Sequence, residues 1–368
     1  MLDFTSALYL GMVHPWSSLR PWDQLTSGRP AALSPPDGAQ EAALQLAELQ
    51  GCKSATLGTS TLHLFWDLFD MLAAKHITVY PDAGIYPIAR WGIEHSAMRG
   101  LPVKVFNHHD SEMLRKRLRN ESRRPVVVTD GFCPGCGEAA PIAEYVSAIQ
   151  SKRGYLVVDD TQALGILGAG RSPAQPYGHG GSGSLRWNNV QESSVIAVSS
   201  LAKGFGVPLA VLAGDTSVVQ RYESVSQTRI HCSPPCVALV HATERALELN
   251  RAHGDALRAK LWQTVSRFRE CIAKTGWHPD GGFFPVQTIR AQHRTQTLDL
   301  HEYLLRSGIR TVLQRGRTDA GVRISFLITA RHRPEDVESV ARIISRADRH
   351  LRPNRRGLEE NHEQSIRL

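Results

Sequence analysis

The chain has 368 residues, 42% hydrophobic and 21% charged, with a formal net charge of +8. That length favours a large domain plus a smaller one over a single core, and the ordinary composition excludes a largely disordered chain. No apolar run reaches the roughly 20 residues of a membrane span, and no basic stretch precedes an apolar one at the start, so a cytoplasmic protein without membrane association is expected.

Residues 1–45, with Pro15, Pro21, Pro30, Pro35 and Pro36, read as an N-terminal arm leading into the helix AQEAALQLAELQG. Apolar runs of strand length then alternate with helical periods through residues 46–233. ITVYPD, PVVVTDG, GYLVVDD, SSVIAVSS and LAVLAGD are the strands, and SEMLRKRLRNES and APIAEYVSAIQSKRG the helices, the latter with Gly154 as its cap. Continuously apolar, β-branched strands of this kind are covered on both faces, as in a mainly parallel α/β sheet. The glycine-rich stretch 165–194 has no helix opening directly after it and reads as a flexible excursion near the site rather than a phosphate cradle. Residues 234–350 change character: a long helix to Thr275, then FFPVQTIR, LDLHEYLLRSG, VRISFLI and a last helix from RPEDVESVARIISRA predict a smaller α+β domain. Residues 351–368 read as a disordered tail.

The positive residues are scattered, and their densest group lies in the terminal stretch, so nucleic-acid binding is not expected. A basic surface also suits an anionic substrate. Six cysteines without a secretion signal suggest free thiols. Cys133-Pro-Gly-Cys136 and Cys232-Ser-Pro-Pro-Cys236 admit a four-thiolate zinc site or a redox pair, but the second spacing and the long gap match structural zinc patterns poorly, and no metal is expected.

The chemistry-bearing segment is GYLVVDDTQALGILG, followed after the loop by SSVIAVSSLAKGFGVPLAVLAGD. One strand ends in Asp159-Asp160 and another in Ser199-Ser200 shortly before Lys203, which places carboxylates, hydroxyls and an amine at the carboxyl edge of the sheet. Lysine forms Schiff bases with carbonyls, and an aspartate beside a pyridinium nitrogen keeps that nitrogen protonated. Each piece alone is weak. In this order the set points to pyridoxal 5′-phosphate (PLP).

Here the sequence resembles the PLP-dependent fold-type I superfamily and, within it, the α-oxoamine synthases. The likeness runs from Asp3 to about Ala347 and rests on Tyr9-Leu10-Gly11 with His14-Pro15, Thr129-Asp130-Gly131, Gly137 to Ile142, Val158 to Gly168 and Ser200 to Gly206. The resemblance implies an aspartate aminotransferase-like fold: a large domain with a mainly parallel seven-stranded sheet, plus a smaller α+β domain. It implies that Lys203 carries the Schiff base, that Asp159 pairs with the pyridine nitrogen, and that Ser60-Thr61-Leu62 and Ser200 contact the phosphate. Tyr86 stands where the family stacks a histidine on the ring. Asp130 holds the position before Gly131, and Ser233 reaches the neighbouring subunit's phosphate in a homodimer with shared sites. Arg323 matches the arginine that binds an amino-acid carboxylate. Gln162 replaces a family histidine, so it can donate a hydrogen bond to the cofactor's phenolic oxygen but cannot act as an acid near neutral pH.

The activity implied is decarboxylative condensation of an amino acid with an acyl thioester, on coenzyme A or an acyl carrier protein, giving an α-amino ketone. An aminotransferase or lyase on the same cofactor is the alternative within enzymes. A non-catalytic protein on the same fold is a third reading.

Overall fold

The computed structural model describes residues 1–290, 293–315 and 321–351; the tail expected over 351–368 lies beyond them except for Leu351. In chain order the first elements are β1 (Leu2–Asp3), α1 (Ala39–Gln50), β2 (Ser54–Gly58), α2 (Thr61–Ala73), β3 (Ile77–Pro81), α3 (Pro87–Ala97) and α4 (Ser111–Leu118). Then come β4 (Arg124–Asp130), the short hairpin of β5 (Phe132–Cys133) and β6 (Glu138–Ala139), α5 (Ile142–Gln150), β7 (Tyr155–Asp159), α6 (Ser184–Trp187), β8 (Val195–Ser200) and β9 (Ala210–Gly214). The C-terminal half holds α7 (Thr216–Val225), α8 (Gln227–His231), α9 (Val237–Ala273), β10 (Val286–Ile289), α10 (Arg294–Arg306), β11 (Ile309–Arg310), β12 (Val312–Arg315), β13 (Val322–Leu327) and α11 (Pro334–Leu351).

The main sheet has six strands in the order β2-β9-β8-β7-β4-β3, not the seven expected. Strands β3, β4, β7 and β8 run parallel, and β9 lies antiparallel between β8 and β2. The missing strand is nevertheless present as the segment 103–106 beyond β3, where Val79 pairs with Val103 and Asp82 with Phe106, both parallel. Its ladder carries Val79 N–H to Pro102 O, Lys104 N–H to Val79 O and Phe106 N–H to Pro81 O. The next rung would be donated by residue 81, and proline has no N–H, so the edge breaks into two isolated bridges. Such an interruption also leaves the edge a poor template for further pairing.

Both faces of the sheet are covered, as the apolar strands require. Phe65, Leu68, Phe69, Ile93 and Tyr222 close one face with α2, α3 and α7; Leu114, Tyr145, Ile149 and Leu185 close the other with α4, α5 and α6. Helix α5 ends differently from expectation. Arg153 takes the left-handed conformation at φ 49°, while the Gly154 N–H donates to Ile149 O. Glycine is needed at 154 for space: a Cβ there would stand 2.7 Å from Ile149 Cβ and 2.8 Å from Pro125 O.

A three-stranded antiparallel sheet, β10-β13-β12, packs with α9, α10 and α11 in the C-terminal part. The N-terminal arm joins it: β1 pairs in parallel with β11, and Leu327 and Ala330 donate their N–H groups to the Phe4 and Tyr9 carbonyls. The 165–194 stretch is built rather than loose. Gly165, Gly168, His179 and Gly183 donate backbone hydrogen bonds across it, and Tyr177 is buried. Arg258 of α9, only 1% exposed, ties it down by donating to Gly165 O and Asn250 Oδ1 while pairing with Asp255. Among the described residues no helix is long and apolar enough to cross a membrane.

Candidate active site

At the carboxyl edge of the parallel strands lies a cleft of about 190 Å³. Thr61, Tyr86, Asp130, Asp159, Thr161, Gln162, Ser200 and Lys203 line it. Seven of these were expected from the sequence; Thr161 was not. Ser60 and Leu62 flank Thr61 without lining the cleft themselves. Ser60 is the cap of α2, its Oγ accepting from the His63 N–H at 3.4 Å, so the positive end of that helix opens beside the cleft.

The two adjacent aspartates part company because successive strand residues face opposite sides. Asp159 faces the cleft, and its Oδ1 accepts from the Thr161 N–H at 3.1 Å. Asp160 points into the protein, where both carboxyl oxygens accept from the Ser184 N–H at the start of α6. Burial raises the Asp160 carboxyl from its ordinary value to about 7. Thr161 Oγ1 in turn accepts from the Ser200 N–H at 2.9 Å, which locks the end of β8 to the turn after β7.

Lys203 sits in the tight connection between β8 and β9, closed by hydrogen bonds from Leu201 N–H to Leu209 O and Val207 N–H to Leu201 O. His14 supports this turn, its Nε2 lying 2.8 Å from Phe205 O. Gly206, at φ 68°, passes so close to Met12 O that a Cβ would stand 2.5 Å from it. The His14-Pro15 motif therefore holds the lysine turn from 191 residues away in sequence. Lys203 Nζ is 5.8 Å from the centroid of the Tyr86 ring. Tyr86, 41% exposed, opens α3, and its backbone N–H donates to Asp130 Oδ1 at 2.9 Å, so Asp130 fixes where the ring stands.

Gln162 completes the wall. Tyr9, 1% exposed, donates its hydroxyl to Gln162 Oε1 at 2.9 Å, and burial raises the phenol well above its ordinary value, so it stays a donor. With the amide oxygen engaged by a donor, the Gln162 NH2 is the end left to face a ligand. Neither Tyr9 nor Thr161 was assigned to the site from sequence, although both lie within motifs that carried the resemblance. The two outlying candidates are not part of the cleft wall. Arg323 stands on β13 with Nη1 3.4 Å from Gly135 O, and Ser233 lies in the turn between α8 and α9.

No family model matches the chain. Among curated proteins it is 26% identical to the 8-amino-7-oxononanoate synthase of Alcanivorax borkumensis over 251 residues, 67% of this chain and 62% of that relative. The matched part thus spans under two thirds of that relative's length. The corresponding synthase of Alkalilimnicola ehrlichii is 26% identical over 299 residues, 80% of this chain and 73% of its own. Among solved structures, the serine palmitoyltransferase of Sphingomonas wittichii superposes with a TM-score of 0.83 at 19% identity, over 95% of this chain and 87% of that one. The 8-amino-7-oxononanoate synthase of Francisella tularensis gives 0.74 at 18%, over 95% and 98%. The chain is thus similar in sequence to 8-amino-7-oxononanoate synthases, and it shares its fold with that enzyme and with serine palmitoyltransferase.

Proposed function

We propose that the protein is a PLP-dependent acyltransferase that condenses an amino acid with an acyl thioester, with loss of CO2, to give an α-amino ketone. The observation that carries this reading is the cleft itself: one amine, Lys203, shares it with Asp159, Gln162, the Tyr86 ring and Thr61 at the start of α2. These groups fit the cofactor's parts. Lys203 would hold its carbonyl carbon and Asp159 its ring nitrogen, with the Tyr86 ring against the flat face. Thr61, the N–H groups beginning at Ser60-Thr61-Leu62, and Ser200 suit a phosphate. Asp130 positions Tyr86, and the Gln162 NH2 suits the phenolic oxygen. When bound, PLP supplies an electron sink for negative charge developing at an amino acid's α-carbon.

The remaining work falls to the chain's own groups. Lys203 Nζ, in a cleft otherwise without an amine, is placed to take a proton from a bound amino acid and return it later. Asp159, held by the Thr161 N–H, would present its carboxylate to the cofactor's ring nitrogen and favour that nitrogen's protonated form. Arg323 as carboxylate anchor, Ser233 as a contact across a homodimer, and a cytoplasmic enzyme with residues 46–233 carrying the cleft and 234–350 the second domain all rest on the resemblance. The basic net charge suits an anionic donor such as an acyl coenzyme A or an acyl carrier protein.

The test incubates the purified protein with PLP, reduces it with borohydride and maps the adduct, with Lys203→Ala as control. It then screens amino acids with acyl thioesters for CO2 release. An adduct on Lys203 and CO2 release that requires the thioester are expected. An adduct without thioester-dependent CO2, but with an oxo acid formed from the amino acid, would replace this reading by transamination.

A further inference from the structure

The pair Cys133 and Cys136 was read from sequence alongside Cys232 and Cys236, but the fold gives it a different companion. Among the described residues His108, Cys133 and Cys136 come together, their nitrogen and sulfur ligand atoms all within 4.8 Å of one another. His108 reaches in from the segment after the interrupted edge strand, 25 residues upstream of the cysteine pair. The two thiols belong to the β5–β6 hairpin, directly after Asp130.

Three features mark this cluster as a built cation site. The first is spacing: a tetrahedral zinc ion with ordinary bond lengths sets an imidazole nitrogen and a thiolate sulfur about 3.5 Å apart. His108 Nε2 and Cys136 Sγ are 3.4 Å apart. The second is orientation. Asp82, 1% exposed, takes His108 Nδ1 at 2.7 Å, which turns Nε2 toward the sulfurs in the carboxylate–imidazole–metal arrangement common at such sites. Asp82 is itself fixed by the N–H groups of Gly84 and His109. The third is backbone shaped to bring the groups together. His109 adopts φ 56°, unusual for a residue with a side chain, and Gly84 leaves room for the His108 ring, since a Cβ there would stand 2.5 Å from Nδ1.

We propose that His108, Cys133 and Cys136 bind a zinc ion, with Asp82 orienting the histidine and the fourth coordination position open to water on the exposed Cys136 side. Two thiolates and an imidazole select zinc over hard cations such as Mg²⁺ or Ca²⁺. The ion clips the hairpin after Asp130 to the His108 segment, which the His108–Asp82 contact joins to the turn that begins at Asp82 and ends at Tyr86. It thereby ties together two loops that reach the proposed PLP cleft, without entering the cleft itself. Binding displaces the protons of the two cysteine thiols and any proton on His108 Nε2 to solvent, while Nδ1 keeps its hydrogen toward Asp82.

The experiment measures zinc by mass spectrometry in the full-length protein, purified with PLP and reductant and equilibrated with zinc before removal of the excess. About one zinc per chain is expected, lost in His108→Ala and in Cys136→Ser while the cofactor absorbance remains. Asp82→Asn should weaken zinc binding by about 10–100-fold. Should these variants not fold, cobalt replaces zinc in the wild-type protein, where tetrahedral thiolate–cobalt bands are expected. Zinc absent from the wild type, zinc retained at wild-type level in both ligand variants, lack of cobalt bands, or a Cys133–Cys136 disulfide mapped in protein isolated without reductant would each overturn the proposal. None of these readings depends on acyl transfer, so failure of the zinc site and failure of the proposed activity are separable.

Discussion

Replacing Tyr9 by Phe removes one oxygen atom and leaves the ring's packing against Phe284 in place, at 5.7 Å and 76°. What is lost is the donor to Gln162 Oε1. An unpaired acceptor costs about 1–3 kcal/mol when fully buried, but Gln162 stands half-buried at the cleft wall, where water replaces part of the loss. The lower end, about 1 kcal/mol, is therefore expected, and it corresponds to roughly fivefold weaker cofactor binding. The loss arises because the amide is no longer held with its NH2 toward the ligand. The assay is a PLP titration of cofactor-free protein, followed by absorbance, for wild type, Tyr9→Phe, Gln162→Ala and the double variant. If the hydroxyl acts through Gln162, Tyr9→Phe has no further effect once Gln162 is alanine. Equal weakening by Tyr9→Phe in both backgrounds would refute the coupling, and full affinity in Gln162→Ala would remove Gln162 from the site.

Other consequences can be measured on the folded chain. Gly131→Ala puts a Cβ 2.3 Å from Asp160 Oδ1 and 2.4 Å from Ser184 Oγ, so denaturant titration should show a loss of about 1–3 kcal/mol, and a wild-type midpoint would contradict the packing described. Asp160 ionises near 3.8 when unfolded but only at about 7 in the native protein. The native state therefore binds more protons between about pH 4 and pH 7, and this residue lowers stability as pH rises through that window, by up to about 4 kcal/mol, with no further change above it. Asp160→Asn mimics the protonated carboxyl and should remove that decline. The same stability slope over that window in wild type and variant would disprove it.

The parts of the site that were legible in sequence are those whose position follows from one strand. Asp159, Ser200 and Lys203 come at or just after the ends of continuously apolar runs, and the parallel sheet delivers such residues to one edge. The five strands read from apolar runs are all present, whereas β2, built of Ser, Ala, Thr, Leu and Gly, has too little β-branched character to stand out. The seventh strand was expected from the family likeness and occurs only in interrupted form, because the residue that breaks its ladder is a proline in the neighbouring strand. Pairings across the fold left no local trace. The Tyr9 hydroxyl meets Gln162 across 153 residues, and His108 meets a cysteine 28 residues away through a turn whose shape depends on Asp82. Thr161 had a visible signal, a hydroxyl two residues beyond the cleft aspartate, but no periodicity distinguishes it from a surface threonine.

The pairing of β1 with β11 has a reach beyond its own two-stranded ladder. Phe4 stacks on His332 at 4.2 Å, Tyr9 O takes the Ala330 N–H, and the Tyr9 hydroxyl touches the cleft wall, all within six residues. The first ten residues are therefore a short, taut strap with one end on the C-terminal layer and the other on Gln162. Any shift of that layer relative to the main sheet pulls directly on the amide that faces the ligand. A fluorophore or a bulky fusion at the N-terminus would report on, and disturb, the cleft more than its place at the chain's start suggests.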